Sequence, residues 1–285
     1  MTAPPKSRMP DRATPARPRL REGHIILAAL IAGVVLCLAY LMSGAGTGMS
    51  AVAMTRTTGP GGALLTGIDA LAHPVRWTLA TALVMVTMWW LMMVAMMVPS
   101  ATPAVLLYAA LSRQTAGGMS WNTAIFLAGY LWVWAGFSLL ATLVQWAMST
   151  QGALSPMYMT LTSGYAGGGL LVLAGLYQLT PLKHKCLQAC RGPVQALMSH
   201  WRPGPAGALR AGVVLGANCL GCCWVLMLLL FVGGVMNLYW IVGLAVYVGI
   251  EKLSPPGPKL ASIAGSLLIL AGLAFLWRTS AIPPP

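Results

Sequence analysis

Long apolar runs alternate with short polar segments along most of the chain. A helix needs about 20 predominantly apolar residues to cross a bilayer, and seven runs approach or reach that length. A segment in lipid must also satisfy its own backbone hydrogen bonds, which favours helices. The pattern therefore predicts an all-α fold, a polytopic helical bundle with about seven transmembrane helices. The predicted spans are 24–42, 77–98, 122–148, 165–182, 211–232, 238–250 and 260–277.

The second apolar region is unusually long, reaching from residue 77 to residue 111, and it contains Pro99 and Pro103. A proline inside a helix removes a backbone donor and clashes with the preceding turn. We therefore expect the span to end near Val98 and to be followed by a break and a short helix. A single kinked span centred on Pro99 is the alternative.

Two parts of the chain differ sharply in composition. Residues 1–22 are rich in proline and arginine and are predicted to form a disordered basic cytoplasmic tail. The apolar run that follows has no clear small-residue cleavage site, so we expect a retained helix rather than a signal peptide. Residues 23–285 are predicted to form a single transmembrane domain.

The basic residues are distributed asymmetrically along the chain. Its 285 residues include 17 Lys and Arg but four Asp and Glu, and 58% are hydrophobic. With a cytoplasmic N-terminus, 14 of the 17 basic residues fall in cytoplasmic segments, as the positive-inside rule expects. The charge therefore predicts this orientation and contact with membrane lipid, and not binding to nucleic acid.

A methionine run dominates the second span, where six methionines lie within thirteen residues. On a helix most of them share one face or form an adjacent ridge. Thioethers are soft, neutral ligands that suit Cu(I), but methionine is also an ordinary apolar filler, so ligation and helix packing both remain open. The stripe begins at Met85, and its candidate metal ligands are Met88, Met92, Met93, Met96 and Met97.

Three cysteines, Cys219, Cys222 and Cys223, lie within five residues of the fifth span. Their i, i+3 and i, i+4 spacings place all three thiols near one side of a helix. At 1.5 Å per residue they would lie about 12–18 Å into the membrane, a depth that Met88 to Met92 reach from the other side. The sequence therefore permits one mid-membrane sulfur cluster, although buried cysteines also pack as small apolar residues.

A second cysteine pair, Cys186 and Cys190, follows the fourth span among basic residues. On a helix the two are i, i+4, and the nearby Lys and Arg are expected to lower the thiol pKa values. Both are candidate metal ligands, with a positive-inside anchor as the alternative. Glu251 lies beside Lys252 at the end of the sixth span, where we favour a local or interhelical ion pair over a ligand role.

Residues for catalytic chemistry are scarce. The sequence contains no Ser-His-Asp arrangement, phosphate-binding glycine loop or dinucleotide fingerprint, and four acidic residues leave little for carboxylate-based hydrolysis. We therefore expect a protein that is not an enzyme. Because no ATP-binding motif is present, we do not expect ATP-driven pumping by this chain alone.

Five segments stand out together: MWWLMMVAMMVPS at 88–100, LTPLKHKCLQACR at 179–191, NCLGCCWVLM at 218–227, GVMN at 234–237 and EKL at 251–253. They resemble a bacterial family of predicted metal-binding integral membrane proteins of unknown function, which carries a copper-chaperone-like label. The resemblance covers about residues 80–275. It implies a bacterial inner-membrane location, copper binding and the Met and Cys ligands named above, with Glu251 as a further candidate.

These features predict an integral membrane protein that binds a soft metal, Cu(I) ahead of zinc. It would serve metal handling, delivery or cuproenzyme assembly, with a metallochaperone or a cuproenzyme as partner. One alternative is a transmembrane thiol–disulfide redox carrier that uses Cys186 with Cys190 and Cys219 with Cys222, which leaves the methionines unexplained. Another is a structural or assembly subunit with no ligand, in which the sulfur residues merely pack.

Overall fold

The computed structural model describes residues 20–44, 50–60, 77–116, 121–155, 158–192 and 202–281. The predicted tail, residues 1–22, lies almost entirely outside the described residues. The described part is all-α, with an isolated bridge between Leu154 and Leu161 as its one β contact. Its helices are α1 Leu20–Met42, α2 Ala51–Thr58, α3 Leu79–Ala116, α4 Trp121–Thr150, α5 Gly164–Gln178, α6 Pro181–Arg191, α7 Pro205–Leu228, α8 Leu230–Gly233, α9 Leu238–Leu253 and α10 Gly257–Ala281.

Five helical segments of the described chain are long and apolar enough to cross a membrane. They are Gly23–Met42, Leu79–Ser112, Trp121–Thr150, Pro205–Gly233 and Gly257–Ala281. The fourth and sixth predicted spans correspond to α5 and α9, which have 15 and 16 residues and so fall short of a full bilayer crossing. The seven-span layout and the cytoplasmic N-terminus stay predictions.

The predicted break after Val98 is absent, because α3 continues as one helix through Pro99 and Pro103. Two hydroxyls in the same turns donate to carbonyls of the helix, Ser100 Oγ to Met97 O at 2.9 Å and Thr102 Oγ1 to Val98 O at 3.0 Å. Neither is the carbonyl freed by a proline, which lies four residues before it. Apolar helices nevertheless tolerate proline, because an interrupted backbone would be more costly in lipid. The alternative of one span is therefore the correct one.

The fourth predicted span, 165–182, ends earlier than expected because a new helix begins inside it. Gln178 ends α5, and Thr180 Oγ1 then accepts the backbone N–H of Lys183 at 3.3 Å, with Pro181 in the first turn of α6. A hydroxyl cap followed by proline is a strong helix-start signal. This restart lets α6 turn back against α7 instead of extending α5.

Close glycine contacts bring the helices around the bundle centre together. A Cβ at Gly129 of α4 would lie 2.5 Å from Leu209 O of α7, and one at Gly212 of α7 would collide with Phe126 O. The same arrangement holds between α5 and α10, where a Cβ at Gly175 would lie 2.5 Å from Gly265 O. Small residues allow the backbones to approach where lipid offers no hydrophobic driving force. The tight α4–α7 contact aligns the middle of α4 with the cysteine-bearing turn of α7.

Candidate metal centre

The three cysteines of α7 lie at the centre of the bundle, each no more than 3% exposed. Two of the thiols turn back onto their own helix: Cys222 Sγ donates to Cys219 O at 3.1 Å, and Cys223 Sγ lies 2.9 Å from the same carbonyl. Cys219 carries the remaining thiol, which points away from this carbonyl toward neighbouring helices. The predicted shared face therefore exists, with Cys219 as its most connected member.

The methionine run meets the cysteines at Met97. Its Sδ lies 3.9 Å from Cys223 Sγ, and both side chains are almost fully buried. The sequence left open whether the second and fifth spans touch, and the contact between α3 and α7 answers that question. Sulfur atoms from two helices therefore share one buried site.

The other four candidate methionines also lie in the core, each no more than 2% exposed: Met88, Met92, Met93 and Met96. They belong to the same apolar cluster as Trp89, whose ring packs against Phe231 with centroids 5.3 Å apart. Helix packing and metal ligation explain the burial of these methionines equally well. Their role as ligands stays a prediction.

Lys252 is the most informative residue that the sequence did not assign to the site. Its Nζ donates to Cys219 Sγ at 2.9 Å and lies 3.5 Å from Ser100 Oγ and 3.9 Å from Met97 Sδ, while the residue is 7% exposed. Charge counting placed this lysine among the cytoplasmic anchors. The Lys252 ammonium thus lies among the sulfur atoms. A metal ion bound by the same sulfurs would lie close to this ammonium.

Tyr130 of α4 completes the contacts of Cys219 and was also missed. Its hydroxyl lies 3.1 Å from Cys219 Sγ and donates to Met97 O at 3.3 Å, and its side chain is fully buried. A tyrosine in the middle of an apolar span, far from the aromatic belts at the membrane interfaces, was the signal available in the sequence. The hydroxyl joins the cysteine and methionine sides of the site.

The α6 cysteines join the same region from the side. Cys190 lies beside Cys219 and Cys222, and a Cβ at Gly221 would lie 2.8 Å from Cys186 Sγ. The predicted lowering of their pKa values is wrong. Burial, with a smaller contribution from Cys222, raises the pKa of Cys186, and the hydrogen bonds to Cys219 and Cys222 together with burial raise that of Cys190. Desolvation is the main cause for Cys186, and the neighbouring α7 cysteines are the main cause for Cys190.

Glu251 pairs with Lys183 of α6, which confirms the interpretation as an interhelical ion pair. Glu251 Oε1 lies 2.5 Å from Lys183 Nζ, with the two side chains 3% and 0% exposed. Beside them, Gln178 Nε2 donates to the Tyr247 hydroxyl at 3.0 Å. The carboxylate is therefore engaged in structure and is not free as a ligand.

Within the described ranges, no three Cys, His, Asp and Glu side chains are arranged so that they could hold a metal ion by themselves. Two thiols are turned onto the Cys219 carbonyl, and Glu251 is taken by Lys183. The thioether of Met97, 3.9 Å from Cys223 Sγ, is a further soft donor at this site. Two thiols and one thioether form a soft donor set, which suits Cu(I).

The family model described as the PpoB2 copper chaperones matches residues 86–275, about two thirds of the chain. The matched range contains all ten candidate ligands, as well as Tyr130 and Lys252. The match confirms the resemblance stated from the sequence motifs. No curated protein and no solved structure matches the chain.

Proposed function

This chain belongs to the PpoB2 copper chaperone family, and from that premise we propose that it is a non-enzymatic integral protein of the bacterial inner membrane that binds Cu(I) for delivery. The family supports copper handling in general. The buried sulfur site and the apolar helices support the finer statement that the copper is held inside the membrane. Seven spans with a cytoplasmic N-terminus are part of this proposal.

The observation that carries the proposal is the meeting of α3, α7 and α9 at one point. Met97 Sδ lies 3.9 Å from Cys223 Sγ, and both Cys219 Sγ and Met97 Sδ lie within 3.9 Å of an ammonium. Copper is the cargo of this site, with Met97, Cys219 and Cys223 as its ligands. Cys223 Sγ lies on the Cys219 carbonyl and must rotate away from it to bind, and Cys222, the preceding residue, can join the ligands by the same rotation.

Charge balance favours a monovalent ion at this site. Two thiolates carry two negative charges, Cu(I) supplies one positive charge and the Lys252 ammonium another, so the filled site is neutral. A net charge is costly inside a membrane. The thiols must lose their protons to bind metal, and the hydroxyl of Tyr130, 3.1 Å from Cys219 Sγ, can donate to the resulting thiolate.

Delivery requires a route from the buried site to a partner. Cys190 lies beside Cys219 and Cys222 and is only partly buried on α6. Thiol ligands exchange readily when an incoming thiol can approach before the outgoing one leaves. We propose that copper passes between Cys219 or Cys222 and Cys190, where a metallochaperone or a cuproenzyme meets it.

Metal content tests the proposal directly. Protein purified in detergent from cells supplied with both copper and zinc should retain about one copper per chain after a mild chelator wash, as expected for one closed thiolate site. Replacing Cys219 and Cys223 with serine should remove most of it, while Cys37→Ser, a buried cysteine on α1, should not. Equal copper in all three proteins would refute the site.

A metal-free wild-type protein would instead favour one of the alternatives. The six cysteines of the chain are free thiols in the structure. If their alkylation pattern then changed with the redox potential, a thiol–disulfide carrier would be supported. If it did not, and the Cys and Met variants lowered only the amount of protein, an assembly subunit without a ligand would be supported.

A further inference from the structure

A second group of sulfur atoms lies near the other end of α3, away from Lys252 and the cysteines. It borders a cavity of about 20 Å³ between α3, α4 and the loop that joins α4 to α5. Met85, Gln145, Ser155 and Met159 line this cavity. Met85 precedes Met97 by twelve residues, which is about 18 Å along a helix. The cavity is therefore separate from the cysteine site.

The amide of Gln145 shows how the two thioethers are arranged. Gln145 Oε1 accepts from Trp89 Nε1 at 2.7 Å, so its NH₂ group must face the other way. There Nε2 lies 3.7 Å from Met85 Sδ and 3.3 Å from Met159 Sδ. Thioether sulfur is a weak acceptor, yet a buried amide directs its donors at two of them. Both sulfurs thus face one electropositive group.

The loop side of the cavity has two further features. Ser155 is 8% exposed, and its Oγ has no hydrogen-bond partner among the described residues. Buried hydroxyls are usually paired, so this one is available to a ligand or a water in the cavity. Met159 has a φ of 53°, which is unfavourable for a residue with a side chain and common at functional sites. The loop adopts this conformation while presenting the Met159 sulfur to the cavity.

We propose that Met85 and Met159 form a second Cu(I) site, built from thioethers and completed by the hydroxyl of Ser155. Uncharged soft ligands accept Cu(I) without losing protons and do not offset the charge of Zn(II). The site therefore binds copper more weakly and more reversibly than the cysteine site and serves as its point of entry. The proposal rests on the proposed function, since it makes the cysteine site the destination.

The first experiment uses a background without the α6 and α7 thiols, in which Cys186, Cys190, Cys219, Cys222 and Cys223 are replaced with serine. Cu(I) is titrated anaerobically against a Cu(I)-selective chelator, and copper K-edge absorption counts the sulfur ligands. We expect weak binding of one Cu(I) with two sulfur ligands. Adding Met159→Leu or Met85→Leu should weaken it by about tenfold or more, as loss of a direct ligand exceeds typical losses from outer-shell changes.

Met236→Leu is the matched control, because Met236 is equally buried outside this cavity. If the serine background does not yield protein, Met159→Leu is titrated in the wild-type chain, where it should remove a weaker second equivalent of Cu(I) and leave the first. Weak binding unaffected by Met159→Leu, or copper bound through nitrogen and oxygen alone, would overturn the proposal. Failure of the proposed function would give a different result, because the tightly bound equivalent of Cu(I) would then survive loss of the α7 thiols.

Discussion

Replacing Lys252 with methionine tests whether the ammonium among the sulfur atoms selects a monovalent ion. Lys252 Nζ lies 2.9 Å from Cys219 Sγ and 3.9 Å from Met97 Sδ. A metal bound by these sulfurs is therefore within a few ångströms of a fixed positive charge. The ammonium repels a divalent ion twice as strongly as a monovalent one, so its removal should shift the preference from Cu(I) toward Zn(II).

The size of the shift follows from Coulomb's law. Two unit charges about 4 Å apart interact by about 4 kcal/mol at an effective dielectric constant of about 20. The repulsion that Lys252→Met removes is about that for Cu(I) and about twice that for Zn(II), so the ratio of the two affinities changes by up to about a thousandfold. The Lys252 ammonium also stabilises the two thiolates, and Lys252→Met removes this stabilisation equally for both metals. The ratio, and not either affinity alone, is therefore diagnostic.

The assay is competition between Cu(I) and Zn(II) for purified protein under anaerobic conditions, followed by metal analysis. Lys252→Met should raise the bound zinc-to-copper ratio by at least about tenfold, which corresponds to 1.4 kcal/mol. Lys252→Arg, which keeps the charge, and Lys259→Met, which removes an exposed charge elsewhere, should leave it near the wild-type value. A ratio that is the same in Lys252→Met and wild type would refute the charge argument.

Three further predictions concern the structure around the site. Glu251→Gln should destabilise the protein by about 3–5 kcal/mol, because it leaves the buried ammonium of Lys183 unpaired. The double variant Glu251→Leu with Lys183→Met should recover most of that loss. Thermal unfolding in detergent measures both variants, and a double variant no more stable than Glu251→Gln would contradict the reasoning. Gly175→Val should destabilise by about 1–3 kcal/mol through its clash with α10, whereas Gly169→Ala, with open space around it, should be nearly neutral. Cys186 should be alkylated more slowly near pH 7 than a small-molecule thiol in water, because its raised pKa leaves less thiolate. For the same reason its alkylation rate should still be rising above pH 9. Equal alkylation rates for Cys186 and the small-molecule thiol at pH 7 would contradict this.

The apolar pattern was sufficient for the fold class because a lipid environment leaves few choices. Long uncharged runs have to be helices, and α4 and α10 contain the corresponding predicted spans, 122–148 and 260–277. Helix ends were harder to predict. The start of α6 at Thr180 and Pro181 depends on a local cap that competes with the continuing apolar pattern, and α3 continues through two prolines although each removes a backbone donor.

The site was predicted only in part, for a physical reason. Sulfur residues cluster visibly in the sequence, so a meeting of the methionine and cysteine clusters could be anticipated from membrane depth. The depth estimate matched the cysteines to Met88–Met92, whereas the contact is made by Met97. Lys252 and Tyr130 act through contacts across helices, and such contacts depend on how the helices pack and rotate. A lysine near a helix end reads as a topology signal unless its direction is known.

Glu251 and Lys252 are consecutive residues that contact different helices. The last turn of α9 therefore couples α6 to α7. Glu251 is tied to Lys183 on α6, while Lys252 is tied to Cys219 on α7. A force that pulls α6 away, such as a partner engaging Cys190, acts on the same rigid turn that carries the ammonium. Metal binding at the sulfur site should therefore change the free energy of partner docking at α6. Docking should change the free energy of metal binding by the same amount, as reciprocity requires of two coupled equilibria.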